Sequence, residues 1–93
     1  MYEIYFGSAV KKDLQKLPKN IQNKVHEIFF LLLNNPLLGS ALKGEFLGYS
    51  SYHFKETKTD YRIIYEIKDA ELVILIILVG TRENIYRQLK RRV

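Results

Sequence analysis

The fold is decided by the stretch LVILIILV, which runs from Leu72 to Val79. Its eight apolar residues fall far short of the roughly 20 that a membrane-spanning helix needs. They also leave no polar face, a pattern typical of a strand that is covered on both sides. The sequence therefore predicts an interior β-strand that ends at Gly80.

A β-hairpin is predicted immediately before this strand. Ser51–Lys55 and Tyr61–Ile67 flank a polar turn at Thr57–Asp60, and both segments are rich in the residues that favour strands. A second turn at Lys68–Ala70 leads into the apolar stretch. The three segments together predict a sheet built mainly from antiparallel strands.

The N-terminal part of the chain predicts one strand followed by two helices. Tyr2–Phe6 has the period of two that favours a half-buried strand. Ser8 is expected to cap a first helix, which ends at the turn before Pro18. A second helix is expected to begin near Lys19 and to stop before Pro36, because the residue before proline avoids helical angles.

The remaining segments complete the predicted element order. Leu37–Tyr49 contains three glycines and no steady period, which indicates a loop of more than average length. Thr81 is expected to cap a short last helix. We therefore predict an α+β fold of order β-α-α-β-β-β-α, with a helical hairpin on one face of the sheet and residues 1–93 forming one domain.

Composition narrows the classes of function. The formal net charge is +5 and the chain contains no cysteine, which excludes disulfides, zinc-thiolate sites and thiol nucleophiles. Residues 82–93 contain five basic residues, Arg82 included, against Glu83, so the charge indicates either an anionic partner or a last helix that complements its own dipole. The N-terminus lacks the features of a signal peptide, and we expect a cytoplasmic protein with no membrane partner.

Five side chains are expected to converge at one rim of the sheet. His53 and Lys55 alternate onto the same face of their strand, Arg62 lies on the paired strand, and Arg82 and Tyr86 follow Gly80 one helical turn apart. Cations of this kind bind phosphate and stabilise the charge that develops on it. RNA supplies its own nucleophile, the 2′-hydroxyl, so the cluster suits RNA cleavage with no cofactor and no metal.

Each of these residues also has a purely structural alternative. Arg62 has carboxylates nearby in sequence at Asp60 and Glu66, a strand lysine often protects an exposed edge, and Tyr86 has the helical spacing of a packing residue. His26, on the second helix, is expected to be structural. Taken alone, none of the residues identifies a function.

Several short motifs, however, follow one another with a characteristic order and spacing. They are Ala9–Leu14, Lys16–Pro18, Asn35–Pro36, Leu42–Gly44, Tyr61–Tyr65, Val79–Arg82 and Tyr86. In this order they resemble the RelE/ParE superfamily of toxin-antitoxin toxins over nearly the whole chain. The resemblance implies an antitoxin partner and, as in RelE-like members, metal-independent cleavage of mRNA on the ribosome.

The resemblance also implies roles for individual residues. Arg62 and Arg82 would stabilise the phosphate, and Tyr86 would stack on a base or donate a proton. RelE has two strand lysines where this sequence has His53 and Lys55, so either of these is the expected base. Thr81 replaces the histidine or lysine usual before the second arginine, which leaves Tyr86 or Lys55 as the acid.

The other basic residues are expected to contact RNA or the ribosome: Lys43, Lys58, Arg87, Lys90, Arg91 and Arg92. A toxin-antitoxin hetero-oligomer on operator DNA is a further expected assembly. Two alternatives stay open, because one fold hosts several activities. The first is a ParE-like inhibitor of DNA gyrase without nuclease activity, and the second is an inactive homologue that acts as a co-repressor with its antitoxin. The retained basic and tyrosine cluster favours the nuclease.

Overall fold

The computed structural model describes residues 1–93, and its helices and strands follow the predicted order with one addition. The elements are β1 (Glu3–Tyr5), α1 (Ser8–Gln15), α2 (Lys19–Asn34), β2 (Ser40–Ala41), β3 (Tyr49–Glu56), β4 (Thr59–Lys68), β5 (Val73–Thr81) and α3 (Ile85–Arg92). Single 3-10 turns lie at Pro36–Leu38, Gly44–Phe46 and Asp69–Glu71. The addition is β2, a two-residue strand within the segment that was expected to be a loop.

The five strands form one sheet in the order β1-β5-β4-β3-β2. β1 pairs with β5 in parallel, and the other neighbouring strands pair antiparallel. The apolar stretch lies in β5, between β1 and β4, which confirms the prediction of an interior strand in an antiparallel-rich sheet. None of the helices has the length and hydropathy to cross a membrane.

The sheet carries a separate apolar core on each face. The larger core packs α1 and α2 against β4 and β5, and its fully buried members are Val10, Leu14, Ile21, Val25, Ile28, Phe29, Leu32, Tyr61, Ile63, Tyr65, Ile74, Ile76 and Val79. The smaller core, on the opposite face, consists of Ile64, Leu78, Ile85 and Leu89. The helical hairpin and α3 therefore cover opposite faces of the sheet, because successive residues of a strand point in opposite directions.

A β-bulge in β5 allows this strand to serve both cores. Ile64 pairs with Leu78 and the next residue, Tyr65, pairs with Ile76, so Ile77 is an extra residue without a partner in β4. A bulge of this kind reverses the alternation of side chains beyond it. Ile76 consequently faces the helical hairpin while Leu78 faces α3.

A partly buried ion pair closes the edge of the sheet beside this bulge. β1 covers β5 only as far as Leu75, so the outer edge of β5 has no strand beyond that residue. Asp13 of α1 accepts a hydrogen bond from the Val79 backbone N–H at 3.1 Å. Arg92 of α3 donates to the Ile77 carbonyl at 2.9 Å and to both carboxylate oxygens of Asp13 at 2.6 Å. The pair thereby satisfies the open edge and ties the last helix to the first.

Three predicted element ends need correction. Gly7, not Ser8, occupies the N-cap position of α1, and no side chain caps that helix. Thr81 ends β5 and does not cap α3, whose N-cap position is Asn84 in a left-handed conformation with φ 61°. β1 is shorter than expected, because only Glu3–Tyr5 pair with β5.

Replacing Asp13 or Arg92 is expected to destabilise the protein. The Asp13 and Arg92 side chains are 10% and 25% exposed, and charge-assisted hydrogen bonds of this kind contribute roughly 1.5–3 kcal/mol. We expect Asp13→Ala and Arg92→Ala each to lower the free energy of unfolding in urea by about that amount. Arg91→Ala is the matched control, because the exposed side chain of Arg91 forms no ion pair. Equal stability of the Arg91 and Arg92 variants would contradict this role.

Candidate active site beside the last helix

A row of three residues crosses the sheet on the face that α3 only partly covers. His53 of β3 is paired with Arg62 of β4, and Arg62 is paired with Gly80 of β5. Directly opposed residues point to the same face and lie roughly 5 Å apart. His53 and Arg62 are therefore neighbours, and Gly80 contributes no side chain to the row. Instead, Ile85 of α3 comes within 3.5 Å of the position of a Cβ at Gly80.

Arg62 is linked to Tyr86 on α3. Its Nη1 donates a hydrogen bond to the Tyr86 hydroxyl at 2.8 Å, and its guanidinium carbon lies 5.7 Å from the centre of the tyrosine ring. α3 brings the ring to this place because Ile85 and Leu89 anchor the helix in the smaller core. Arg62 forms no ion pair with Asp60 or Glu66, so the structural alternative considered for it is wrong.

His53 has the protonation behaviour that a general base requires. Burial lowers its pKa below the ordinary value of 6.5, the neighbouring positive charge of Arg62 lowers it further, and Asp60 partly opposes both effects. The imidazole is consequently neutral at pH 7, with a lone pair available to accept a proton. Lys55 lies two residues along the same strand, on the same face, and its partner in β4 is Asp60.

The structure places Arg82 at the same end of the sheet but separates it from Arg62 and Tyr86. Its backbone N–H donates to the Asp60 carbonyl at 2.9 Å, and its guanidinium lies 3.9 Å from the Asp60 carboxylate. The side chain is 68% exposed, so this ion pair is weak. A polar groove of about 560 Å³ is lined by Lys58, Thr59, Asp60, Thr81, Arg82 and Glu83. Arg82 is thus free to turn toward a ligand in this groove.

An aromatic residue missed in the sequence completes the site. Phe46, in the loop between β2 and β3, stacks on Tyr86 with ring centres 5.9 Å apart and an interplanar angle of 24°. The loop shows no periodicity that would have identified Phe46. Asp60 was also missed as a member of the site, because it had been assigned to the hairpin turn.

The residues expected to contact RNA or the ribosome divide into three groups. Lys43, Lys58, Arg87 and Arg91 are exposed and form no ion pair. Lys90 lies 3.9 Å from the Glu45 carboxylate, and both side chains are largely exposed. Arg92 is different, because Asp13 and the Ile77 carbonyl engage its guanidinium. The prediction that Arg92 contacts RNA is therefore corrected, because its guanidinium binds Asp13 and the edge of β5.

The site as a whole offers a neutral imidazole, a guanidinium hydrogen-bonded to a phenol, a neighbouring ammonium group and a second guanidinium in an adjoining groove. A general base, a phosphate-binding cation and a proton donor are the groups that transesterification of a phosphodiester needs. The arrangement is open to solvent, as a long polymeric substrate requires.

Comparison with known proteins places the chain in a family. The family described as ParE-like toxin of type II bacterial toxin-antitoxin systems matches residues 4–90. The chain is 34% identical over 89 residues to toxin RelG of Mycobacterium tuberculosis, covering 94% of this chain and 98% of RelG. It is also 34% identical over 88 residues to toxin RelE of the same organism, covering 92% and 87% of the two chains.

Solved structures give the same result. The chain is similar to the toxin-antitoxin complex RelBE2 of M. tuberculosis, with a TM-score of 0.74, 34% identity and coverage of 87% of this chain and 98% of that one. It shares its fold with a mutant of E. coli RelE in the free state at a TM-score of 0.78 and 18% identity, with coverage of 98% and 92%. The chain is a member of the RelE/ParE superfamily of toxins from type II toxin-antitoxin systems.

Proposed function

We propose that this toxin is a ribosome-dependent, metal-independent mRNA endonuclease that inhibits translation. The observation that carries the proposal is the position of Arg62, which is paired with His53 across the sheet and donates a hydrogen bond to the Tyr86 hydroxyl. One guanidinium thus lies between a base and a proton donor. A scissile phosphate bound to Arg62 would have both groups beside it.

The proposed reaction uses the 2′-hydroxyl of the RNA as nucleophile. A ring nitrogen of neutral His53 takes the proton of this hydroxyl, and the 2′ oxygen attacks the adjacent phosphorus. The bond from phosphorus to the 5′ oxygen breaks, and that oxygen takes the proton of the Tyr86 hydroxyl. The products are a 2′,3′-cyclic phosphate and a 5′-hydroxyl. Arg62 stabilises both the charge on the phosphate and the tyrosinate. The tyrosinate regains its proton from water, and protonated His53 releases its proton to water, which restores both residues.

Lys55 and Arg82 contribute positive charge to this reaction. Lys55 lies on the same face as His53, and a cation there stabilises the non-bridging phosphate oxygens. Arg82 would leave its exposed contact with Asp60 to bind a flanking phosphate. Lys43, Lys58, Arg87, Lys90 and Arg91 are proposed to bind RNA backbone on mRNA or the ribosome.

The cognate antitoxin is the proposed protein partner, and operator DNA is the proposed ligand of their complex. Support comes from the relatives, because M. tuberculosis RelBE2 and E. coli RelBE were both solved as toxin-antitoxin complexes. E. coli RelE was also solved with an antitoxin peptide.

Removing Arg62 or Arg82 should slow mRNA cleavage. Loss of one donor to the reacting group costs a factor of about 10²–10³. We expect a loss of this size in Arg62→Ala, and a comparable loss in Arg62→Lys because lysine lacks the planar fork of donors. Arg82→Ala should abolish toxicity. Cleavage is measured by primer extension on purified ribosomes with mRNA in the A site, and Lys19→Ala on the far side of the molecule is the control. An Arg62→Ala, Arg82→Ala double variant that cleaves as fast as the parent would refute the assignment.

Two further assays distinguish the alternatives. The matching family is described as ParE-like, so the purified protein is also assayed for inhibition of gyrase supercoiling. Inhibition without cleavage would replace the nuclease proposal with gyrase inhibition. Expression without antitoxin that leaves growth unaffected would instead indicate an inactive co-repressor.

The pH dependence of cleavage should report the low pKa of His53. Burial and Arg62 lower this pKa below 6.5, so the base stays neutral below that pH. The rate should fall only as the pH drops through the lowered value. NMR titration should give His53 a pKa that matches the acid limb of the rate profile and that rises in Arg62→Gln, where the lowering charge is gone. The NMR signal of the only other histidine, His26, is identified as the one that is missing in His26→Gln. A His53 pKa at or above 6.5 would contradict the lowering by burial and Arg62, and an unchanged pH profile in His53→Gln would exclude His53 as the base.

A further inference from the structure

Tyr86 is held by two other residues. The residue is 39% exposed, its ring is stacked on Phe46, and its hydroxyl accepts the hydrogen bond from Arg62. Tyr86 is the second residue of α3, where a helix has not yet formed its full set of backbone hydrogen bonds. Contacts made by the ring therefore add to the anchoring of α3 in fixing where the phenol lies.

The loop that presents Phe46 has a defined shape. A hydrogen bond of 2.8 Å from the Leu42 N–H to the Tyr49 carbonyl closes its base. Gly44 and Gly48 adopt positive φ angles of 65° and 102°, which glycine tolerates without strain. The loop also contacts α3 a second time, because Glu45 lies 3.9 Å from Lys90. Two neighbouring loop residues thus meet α3 at positions one turn apart.

We infer that Phe46 is a positioning residue for the cleavage reaction, which stacks on the Tyr86 ring and thereby keeps the Tyr86 hydroxyl at Arg62. This inference rests on the proposed function. Phe46 does not reach the reacting atoms in this scheme and acts through Tyr86. The neighbouring Leu47 is 76% exposed and has no such contact with Tyr86.

Substitutions at Phe46 can separate the effect of ring stacking from the effect of burial. Phe46 also packs against the smaller core, so its loss could weaken the fold. Phe46→Leu retains an apolar side chain in that core but removes the ring, whereas Phe46→Trp retains a ring. A stacked pair of rings is worth roughly a few-fold to tenfold in an equilibrium. We expect Phe46→Leu and Phe46→Ala to lower the single-turnover cleavage rate by about that factor with little change in the substrate concentration at half-saturation. Phe46→Trp should recover most of the rate, and Leu47→Ala should cleave like the parent.

A double-mutant cycle tests whether Phe46 acts through Tyr86. Phe46→Leu should lower the cleavage rate when Tyr86 is present. It should have no further effect in a Tyr86→Ala background, because the ring that Phe46 positions is then absent. If it slows both backgrounds by the same factor, or if Phe46→Leu cleaves as fast as the parent, the positioning role is wrong.

An NMR measurement that does not depend on cleavage tests the positioning role of Phe46 separately from the nuclease activity. The Arg62 guanidinium should give a restrained NMR signal while it is bonded to Tyr86, and that restraint should be lost in Phe46→Leu and kept in Phe46→Trp. Loss of restraint in Phe46→Leu with a parent that does not cleave mRNA would reject the nuclease and retain the positioning. Cleavage by the parent with an Arg62 signal that is unaffected in Phe46→Leu would reject the positioning alone.

Discussion

The ion pair between Asp13 and Arg92 joins the two ends of the fold around an incomplete strand edge. β5 is the strand on which both cores are built, yet β1 protects only its first three residues. An unprotected edge is a template for unwanted pairing, and backbone groups that are buried there without partners destabilise a protein. The carboxylate and the guanidinium bind those groups directly. α3 is thereby fixed at its far end, while the smaller core fixes its middle.

The candidate site depends on this placement of α3, because its chemistry is divided between elements that come from distant parts of the chain. The β3–β4 hairpin supplies His53, Lys55 and Arg62, and α3 supplies Tyr86. The hairpin register alone brings His53 beside Arg62. The phenol reaches Arg62 because Ile85 and Leu89 anchor α3 in the smaller core. Rigidity at the edge of β5 and geometry at the site are consequently connected through one short helix.

The sequence predicted the features that arise from local periodicity. Alternation identified the β3–β4 hairpin, and with it the shared face of His53 and Lys55, while the apolar stretch identified β5. Contacts between distant segments were not predictable in this way. Asp13 looks like an exposed helix residue among lysines, and its partner is 79 residues away. Phe46 lies in a loop whose shape depends on two glycines with positive φ angles, and β2 is too short to leave a pattern.

The bulge at Ile77 changes which of the two cores each residue at the end of β5 packs into. Before it, Ile74 and Ile76 pack in the large core with α1 and α2. Beyond it, Val79 packs in that core, Leu78 packs with α3, and β5 ends at Gly80 and Thr81 beside the candidate site. The side chains of His53 and Arg62 lie on the face of the sheet opposite the helical hairpin. A substitution at His53 can therefore alter the chemistry of this rim while the apolar contacts of α1 and α2 with the sheet stay as they are.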